Sequence, residues 1–271
     1  MSSEGFAGRP LIVAAVVLLC GVLLRAEPVT VRYAEGVVHG FLVLRTLDGT
    51  SIADGDLVQV AHGARVTSRM VFHFTDGSVH DETAVFSQER QFRLISDHLV
   101  QKGPAFPLTL DLSIDGASGQ IIVKYANERG EQKEESERLT LPPDLANGLV
   151  PTLLKNVNPD ALPKSFSLIV ATPKPRLVKL AISSAGPDRF SIGGAGREAT
   201  DYILKVEIGG ISGLLAPLLG KQPPDSHVWI LGGDAPAFVK SEQPFFLGGP
   251  VWRIELVSPT WPHPVAASAA R

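Results

Sequence analysis

The sequence predicts a mainly β fold, in which a curved antiparallel meander sheet forms a half-barrel or barrel with two short helices over its concave face. From Val29 onward, short β-branched and aromatic runs alternate with Gly, Asp, Asn and Pro, a pattern typical of strands joined by tight turns. About 12 such runs follow one another, more than an open and strongly twisted sheet accommodates without curling. Two apolar segments with helical spacing interrupt the runs.

The first element is an apolar N-terminal segment. Residues 11–24 (LIVAAVVLLCGVLL) contain no charged or strongly polar side chain. This run fits a signal-peptide core and is shorter than the roughly 20 residues that span a bilayer. Residues 1–26 are therefore predicted to direct export to the periplasm or the exterior. Because Leu24 stands where cleavage after Ala26 favours a small residue, an uncleaved inner-membrane anchor stays open, as does a buried helix of the domain.

Residues 27–260 are predicted to form a single β-rich domain. The front strands occupy residues 29–141. Within them, residues 65–74 alternate two faces, one of which carries Val66, Ser68, Met70, Phe72 and Phe74. Asp76 and Gly77 predict the following hairpin turn. Residues 131–141 (EQKEESERLTL) carry charges that are typical of a solvated edge strand.

A helix over residues 144–156 divides the front strands from the back strands. Asp144 follows two prolines and is its predicted N-cap. Back strands follow over residues 165–257, and the second apolar segment, residues 211–219 (ISGLLAPLL), predicts the second short helix. Residues 261–271 contain two prolines followed by small residues and are predicted to form a flexible tail.

This layout carries a family resemblance. The segments concerned are residues 141–154 (LPPDLANGLVPTLL) and 202–257, which include PLLGKQPPDSHVWILGG. They resemble uncharacterised exported bacterial proteins with a lipoprotein-carrier-like half-barrel. The resemblance implies an apolar cavity between the sheet and the helices, large enough for an acyl chain.

Composition and motifs exclude several function classes. The chain has 25 Lys and Arg against 28 Asp and Glu, for a net charge of -3, whereas nucleic-acid binding calls for a basic field. A single Cys excludes an intrachain disulfide and multi-cysteine metal sites. Ser212 lies among glycines, but Leu214 breaks the spacing of a nucleophile elbow. The chain is therefore expected not to be an enzyme and to need no cofactor.

One polar constellation nevertheless suggests a metal site. If Asp76 and Gly77 form a two-residue turn, His73 lies opposite His80. A similar turn at residues 89 and 90 places Glu82 opposite Asp97. Two imidazoles and two carboxylates suit zinc or another divalent ion. The alternative is that these side chains face solvent, since a slip of one residue moves a strand's side chains to the opposite face.

Three functional hypotheses follow, and the first is binding of a lipid or other apolar small molecule in the curved sheet. Its predicted cavity residues are Phe72, Phe74, Leu149, Leu153, Leu214, Leu215, Leu218, Trp229 and Trp252. The second is a structural or interaction protein of the cell envelope with a filled core. The third is a metal-dependent protein that uses His73, His80, Glu82 and Asp97. Nucleic acid is not an expected partner, and membrane association is expected only through an uncleaved N-terminal segment.

Overall fold

The structure, a computed structural model, describes residues 28–126, 130–163, 165–192, 195–207 and 223–257. Eight antiparallel strands precede its helix. They are β1 (Val38–Thr46), β2 (Ser51–His62), β3 (Arg65–Phe74), β4 (Val79–Gln88), β5 (Phe92–Lys102), β6 (Leu110–Asp115), β7 (Gln120–Ala126) and β8 (Gln132–Arg138).

One short helix and six further strands complete the described part of the chain. They are α1 (Val150–Asn156), β9 (Ser165–Val170), β10 (Arg176–Ile192), β11 (Ala195–Glu207), β12 (Ser226–Leu231), β13 (Ala237–Pro244) and β14 (Val251–Val257).

All 14 strands belong to one sheet, in the order β8-β7-β6-β5-β4-β3-β2-β1-β14-β13-β12-β11-β10-β9. Each of the two groups is a meander in which successive strands pair antiparallel. The meanders join where β1 pairs with β14, from Phe41 opposite Val257 to Thr46 opposite Trp252. Within the described residues the sheet ends at β8 on one side and at β9 on the other, so it is not closed into a barrel.

The sheet curls so that one face becomes an inner face. The largest buried cluster combines Phe86 of β4, Leu153 of α1, Tyr202 of β11 and Val228 of β12. Because β4 and β11 are far apart in the strand order, they share a core only if the sheet bends back over itself. A second cluster, around Phe72, lies between the front strands and β14. The predicted mainly β fold with a curved meander sheet is therefore confirmed.

The helix occupies the inner face, as predicted for the first of the two helices, but it is shorter than residues 144–156. It begins at Val150, after an N-cap at Leu149 that makes no side-chain capping hydrogen bond. The predicted cap, Asp144, instead accepts a hydrogen bond from Ser167 Oγ at 2.6 Å and one from Lys179 Nζ at 2.9 Å. The predicted second helix, residues 211–219, lies outside the described residues. No helix in the described part of the chain has the length and apolar character that a bilayer crossing requires.

Gly148 explains why the helix starts late. Its φ of +63° lies in the left-handed region, which a right-handed helix cannot include. A Cβ at this position would lie 2.5 Å from Ala84 Cβ, so the turn before α1 packs directly against β4. The absence of a side chain thus brings the helix onto the sheet.

Replacing Gly148 with Ala is expected to destabilise the fold by roughly 2–5 kcal/mol, since backbone strain adds to overpacking. Gly63→Ala is the matched control, because Gly63 also has a left-handed φ, +60°, but a Cβ there meets nothing within 4 Å. The control should lower the free energy of unfolding by only about 1 kcal/mol. Urea denaturation of both variants measures the difference, and equal losses would refute the close-packing explanation.

Candidate functional site: a cavity on the inner face

A cavity of about 360 Å³ lies on the inner face, between the two meanders and α1. It is bounded by side chains from β1 to β5, from α1 and from β9 to β14. Most of its wall is apolar, and representative residues are Leu42, Leu57, Met70, Val178, Leu204 and Phe238. Apolar walls with a few placed polar groups are typical of small-molecule sites.

The basic side chains of the wall, Lys155 and Arg176, differ in how they are partnered. Lys155 of α1 forms an ion pair with Glu35. The other carboxylate oxygen of Glu35 accepts a hydrogen bond from Gln59 Nε2 at 2.8 Å. Arg176 begins β10 and is partly exposed, and its Nε has no hydrogen-bond partner. The positive charge of Lys155 is thus neutralised by the protein itself.

His80 of β4 lines the cavity and is only 6% exposed. It lies opposite Gln101 of β5, whose Nε2 donates to Phe245 O at 2.7 Å and lies 3.1 Å from His80 Nδ1. With Nδ1 as the acceptor, the ring proton is on Nε2, which has no hydrogen-bond partner. Burial lowers the pKa of His80 to about 4, so the ring is neutral at neutral pH.

Glu82 and Asp97 form an acidic pair beside His80. Glu82 lies opposite Leu99, and Asp97 lies opposite Ala84. The two carboxyls therefore share the inner face as diagonal neighbours. Burial raises the pKa of Glu82 to about 7. Burial first, and then repulsion from Glu82, raises the pKa of Asp97 well above its ordinary value.

The structure brings together three of the four predicted metal ligands and separates the fourth. His80, Glu82 and Asp97 share the inner face, whereas His73 is exposed on the outer face, opposite Val79. The predicted pairing of His73 with His80 is therefore wrong. No group of three or more His, Cys, Asp or Glu side chains in the described ranges is arranged to hold a metal ion.

The hairpin turn accounts for the displacement of His73. Gly77 N donates to Phe74 O at 3.0 Å, and Phe74 N donates to Ser78 O at 2.9 Å. The loop thus has three residues, with Gly77 left-handed at φ +85°, rather than the two residues predicted. This one-residue difference moves His73 to the other face. Between β4 and β5 the predicted pairing is wrong by two residues, which keeps Glu82 and Asp97 on one face.

None of the six described residues predicted to line the cavity does so. Phe72, Phe74 and Trp252 are buried in one aromatic cluster, and Leu149 and Leu153 in another core cluster. Their size lets them fill the space beside the cavity rather than face it.

The prediction that Trp229 lines the cavity also differs from the structure. Its Nε1 donates to Asp188 at 3.0 Å, and Lys240 Nζ lies 3.9 Å above its ring. Its neighbours Val228 and Ile230 are the residues of β12 that join the inner core, so Trp229 is on the outer face. The remaining predicted cavity residues are Leu214, Leu215 and Leu218, and they lie outside the described residues.

The wall includes residues that the sequence prediction missed, although a signal for some of them was present. Ser68 and Met70 line the cavity, and their alternation with Phe72 had already placed them on one face. Leu57 and Val178 come from strands that are distant in sequence, and no local pattern connects them. The cavity residues predicted from the sequence were large or aromatic side chains, and such side chains more often fill the core than line a cavity wall.

Comparison with known proteins gives one structural match. The crystal structure of a beta-barrel-like protein of domain of unknown function DUF1849 from Brucella abortus has a TM-score of 0.42 and 11% sequence identity to this chain. The match covers 83% of this chain and 98% of that chain. No family model matches the chain. No curated protein matches it either. The resemblance to lipoprotein-carrier-like half-barrels stays a prediction.

The raised pKa of Glu82 predicts a pH-dependent stability. In the unfolded chain this carboxyl ionises near pH 4.5, but in the folded protein it ionises near pH 7. Its contribution is therefore fully present below pH 4.5 and is lost as the pH rises through 7. Glu82→Gln should stabilise the protein, relative to wild type, by roughly 2–3 kcal/mol more at pH 7.5 than at pH 4.5.

Urea denaturation at both pH values measures this difference, with the exposed turn residue Glu89→Gln as the control. The control should show the same offset from wild type at each pH. A pH-independent offset for Glu82→Gln would contradict the raised pKa of Glu82.

Proposed function

We propose that this protein is a non-enzymatic binding protein that holds a lipid or another apolar small molecule on the inner face of its curved sheet. The observation that carries the proposal is the cavity of about 360 Å³ with a largely apolar wall. Ligand pockets of roughly 300–1,000 Å³ are typical of small-molecule sites. An exported location, predicted from residues 11–24, is part of the proposal.

The polar cluster of Ser167, Lys179 and Asp144 fits a structural role rather than catalysis. Ser167 and Lys179 approach each other at 2.7 Å, a distance that would suit a nucleophile and its base. Ser167, however, has no exposed surface, and Asp144 forms an ion pair with the Lys179 ammonium at 2.9 Å. The adjoining backbone bond, from Ala146 N to Ser167 O, supports an alternative role for this cluster. It anchors the segment before α1 to the edge strand β9.

A structural or interaction role is the second candidate, and one surface feature favours it. Phe41 of β1 lies opposite Val257 of β14, and these side chains are 42% and 37% exposed. Val58 of the neighbouring strand β2 is 41% exposed. An exposed apolar patch of this kind is characteristic of contact surfaces. The binding proposal is favoured because the cavity provides a concave site with a largely apolar wall.

Filling the cavity should abolish ligand binding. We expect the uncharged fluorescent probe N-phenylnaphthylamine to bind the full-length protein. Leu57→Trp, which places an indole at the cavity wall, should weaken that binding on the order of tenfold or more. Val58→Trp adds the same side chain to the adjacent, 41% exposed position and should leave the dissociation constant unchanged.

Fluorescence titration measures both dissociation constants, and circular dichroism checks that both variants fold. Equal weakening by the two variants would place the probe outside the cavity. An absence of probe binding to the wild-type protein would refute the binding proposal and would favour the interaction role.

A further inference from the structure

Arg176 differs from the other partly buried basic side chains of this protein. Six such Lys and Arg side chains occur in the described ranges, namely Arg45, Lys155, Arg176, Lys179, Lys240 and Arg253. Four of them form an ion pair with a carboxylate, and Lys240 lies 3.9 Å above the Trp229 ring. Arg176 is the one of the six that has no such partner in the part of the chain that the structure describes.

The guanidinium of Arg176 has unused hydrogen-bond donors. Its Nε is enclosed and has no hydrogen-bond partner, and no hydrogen bond within the described residues reaches its other nitrogens. The second wall atom without a partner, His80 Nε2, is also a donor in the tautomer that Gln101 favours. Withdrawing donors from water without a partner is unfavourable. Both unpartnered atoms of the described wall therefore call for a hydrogen-bond acceptor.

No acidic side chain of the described strands lies opposite Arg176. Its partner on β9 is Val170. The described pairing of β10 with β11 begins three residues further along, where Lys179 lies opposite Glu207. The segment after β11, residues 208–222, contains no Asp or Glu. The described strands beside Arg176 thus provide no counter-charge.

The ionisable side chains of the described cavity wall are His80, Glu82, Lys155 and Arg176. Glu35 neutralises Lys155. Burial lowers the pKa of His80 to about 4, so its ring is neutral at pH 6. Burial raises the pKa of Glu82 to about 7, so most of this carboxyl is protonated at pH 6. At that pH the charge that is left on the described wall is the positive charge of Arg176.

The face of β10 that carries Arg176 continues as apolar wall. Val178 and Leu180 follow at alternate positions, line the same cavity and are 5% and 8% exposed. Leu168 of β9, opposite Val178, lines it as well. Because alternate residues of a strand share one face, these side chains form a strip that extends roughly 13 Å from Arg176 to Leu180. The strip leads from a partly exposed charge to buried apolar side chains.

We propose that Arg176 forms a head-group subsite for a carboxylate, so that the ligand of this cavity is a fatty acid or a similar monoanionic amphiphile whose tail lies along Val178 and Leu180. The inference rests on the proposed function and adds the chemical class of the ligand. The two terminal nitrogens of a guanidinium can donate to both oxygens of a carboxylate. This arrangement needs no access to the enclosed Nε.

The charge of the site favours a carboxylate over a phosphate monoester. A phosphate monoester carries nearly two negative charges at neutral pH. The described wall offers one uncompensated positive charge, because Lys155 is already paired with Glu35. A single guanidinium matches a single carboxylate in both charge and planar geometry.

The test compares three amphiphiles that share one tail: decanoate, decanol and decylamine. Each is used to displace N-phenylnaphthylamine from the full-length protein at pH 6, where a carboxylic acid is ionised. Decanoate is expected to displace the probe at a concentration at least about tenfold lower than decanol, with decylamine the weakest. Arg176→Gln removes the charge, so it should bring decanoate to the level of decanol and leave decanol unchanged.

Arg65→Gln is the matched control. Arg65 also begins a strand, β3, but its side chain is exposed and does not line the cavity. This variant should keep the full preference for decanoate. Arg176→Met retains the apolar stem and also removes the charge, so it carries the test if Arg176→Gln does not fold. Circular dichroism checks the folding of all three variants.

The remaining outcomes separate the two proposals. Equal displacement by decanoate and decanol from the wild-type protein would overturn the carboxylate subsite and leave the apolar binding function in place. A preference for decanoate that persists without the Arg176 charge, or that Arg65→Gln abolishes equally, would also overturn the subsite. Tighter binding of decylamine would overturn it by reversing the charge of the head group. Probe binding that none of the three amphiphiles displaces would overturn both proposals.

Discussion

The pairing of β1 with β14 is the constraint on which the rest of the structure depends. It joins the first strand of the front meander to the last strand of the back meander, and so converts two locally folded sheets into one. The combined sheet curls, its inner face receives α1, and β4 and β11 reach a common core. The sheet then ends at β8 and β9, and the segment before α1 pairs with β9, where Ser167 N donates to Asp144 O at 3.2 Å. Without the β1–β14 pairing there would be no inner face, and therefore no cavity.

Local features of this architecture could be predicted from the sequence. The alternation from Arg65 to Phe74 identified the side chains that face inward on β3, and the structure confirms Val66 and Phe72 as fully buried. Turn residues separated most strands, since glycines such as Gly77 and Gly119 have the left-handed φ values that tight turns require. The charges of β8 predicted an exposed edge, and most of that strand is exposed. All of these signals lie within a few residues of the element that they predict.

Features that depend on register or on distant pairing could not be predicted. A loop of three residues rather than two between β3 and β4 moved His73 to the outer face, and the composition of Asp76 and Gly77 fits either length. Trp229 was assigned to the inner face on its size, yet its alternation partners Val228 and Ile230 occupy that face. Asp144 had the position of a helix cap, but it binds Ser167 and Lys179, which lie downstream in the chain. In each case the local sequence fits more than one arrangement, and at Asp144 it is the contacts with distant strands that decide between them.

The contrast among the buried acidic residues connects the fold with the candidate site. Glu35, Asp144 and Asp97 are 9%, 3% and 2% exposed. Lys155 neutralises the first and Lys179 the second, and these ion pairs fix the chain around α1 and β9. Asp97 is the most deeply buried of the three, it lies next to a second carboxyl, and its oxygens have no hydrogen-bond partner. A chain that elsewhere pairs its buried carboxylates could have stabilised this position with an amide or an apolar side chain. Asp97 instead lies behind the cavity wall, where burial and then repulsion from Glu82 raise its pKa well above the ordinary value, so that its neutral form is favoured without a basic partner.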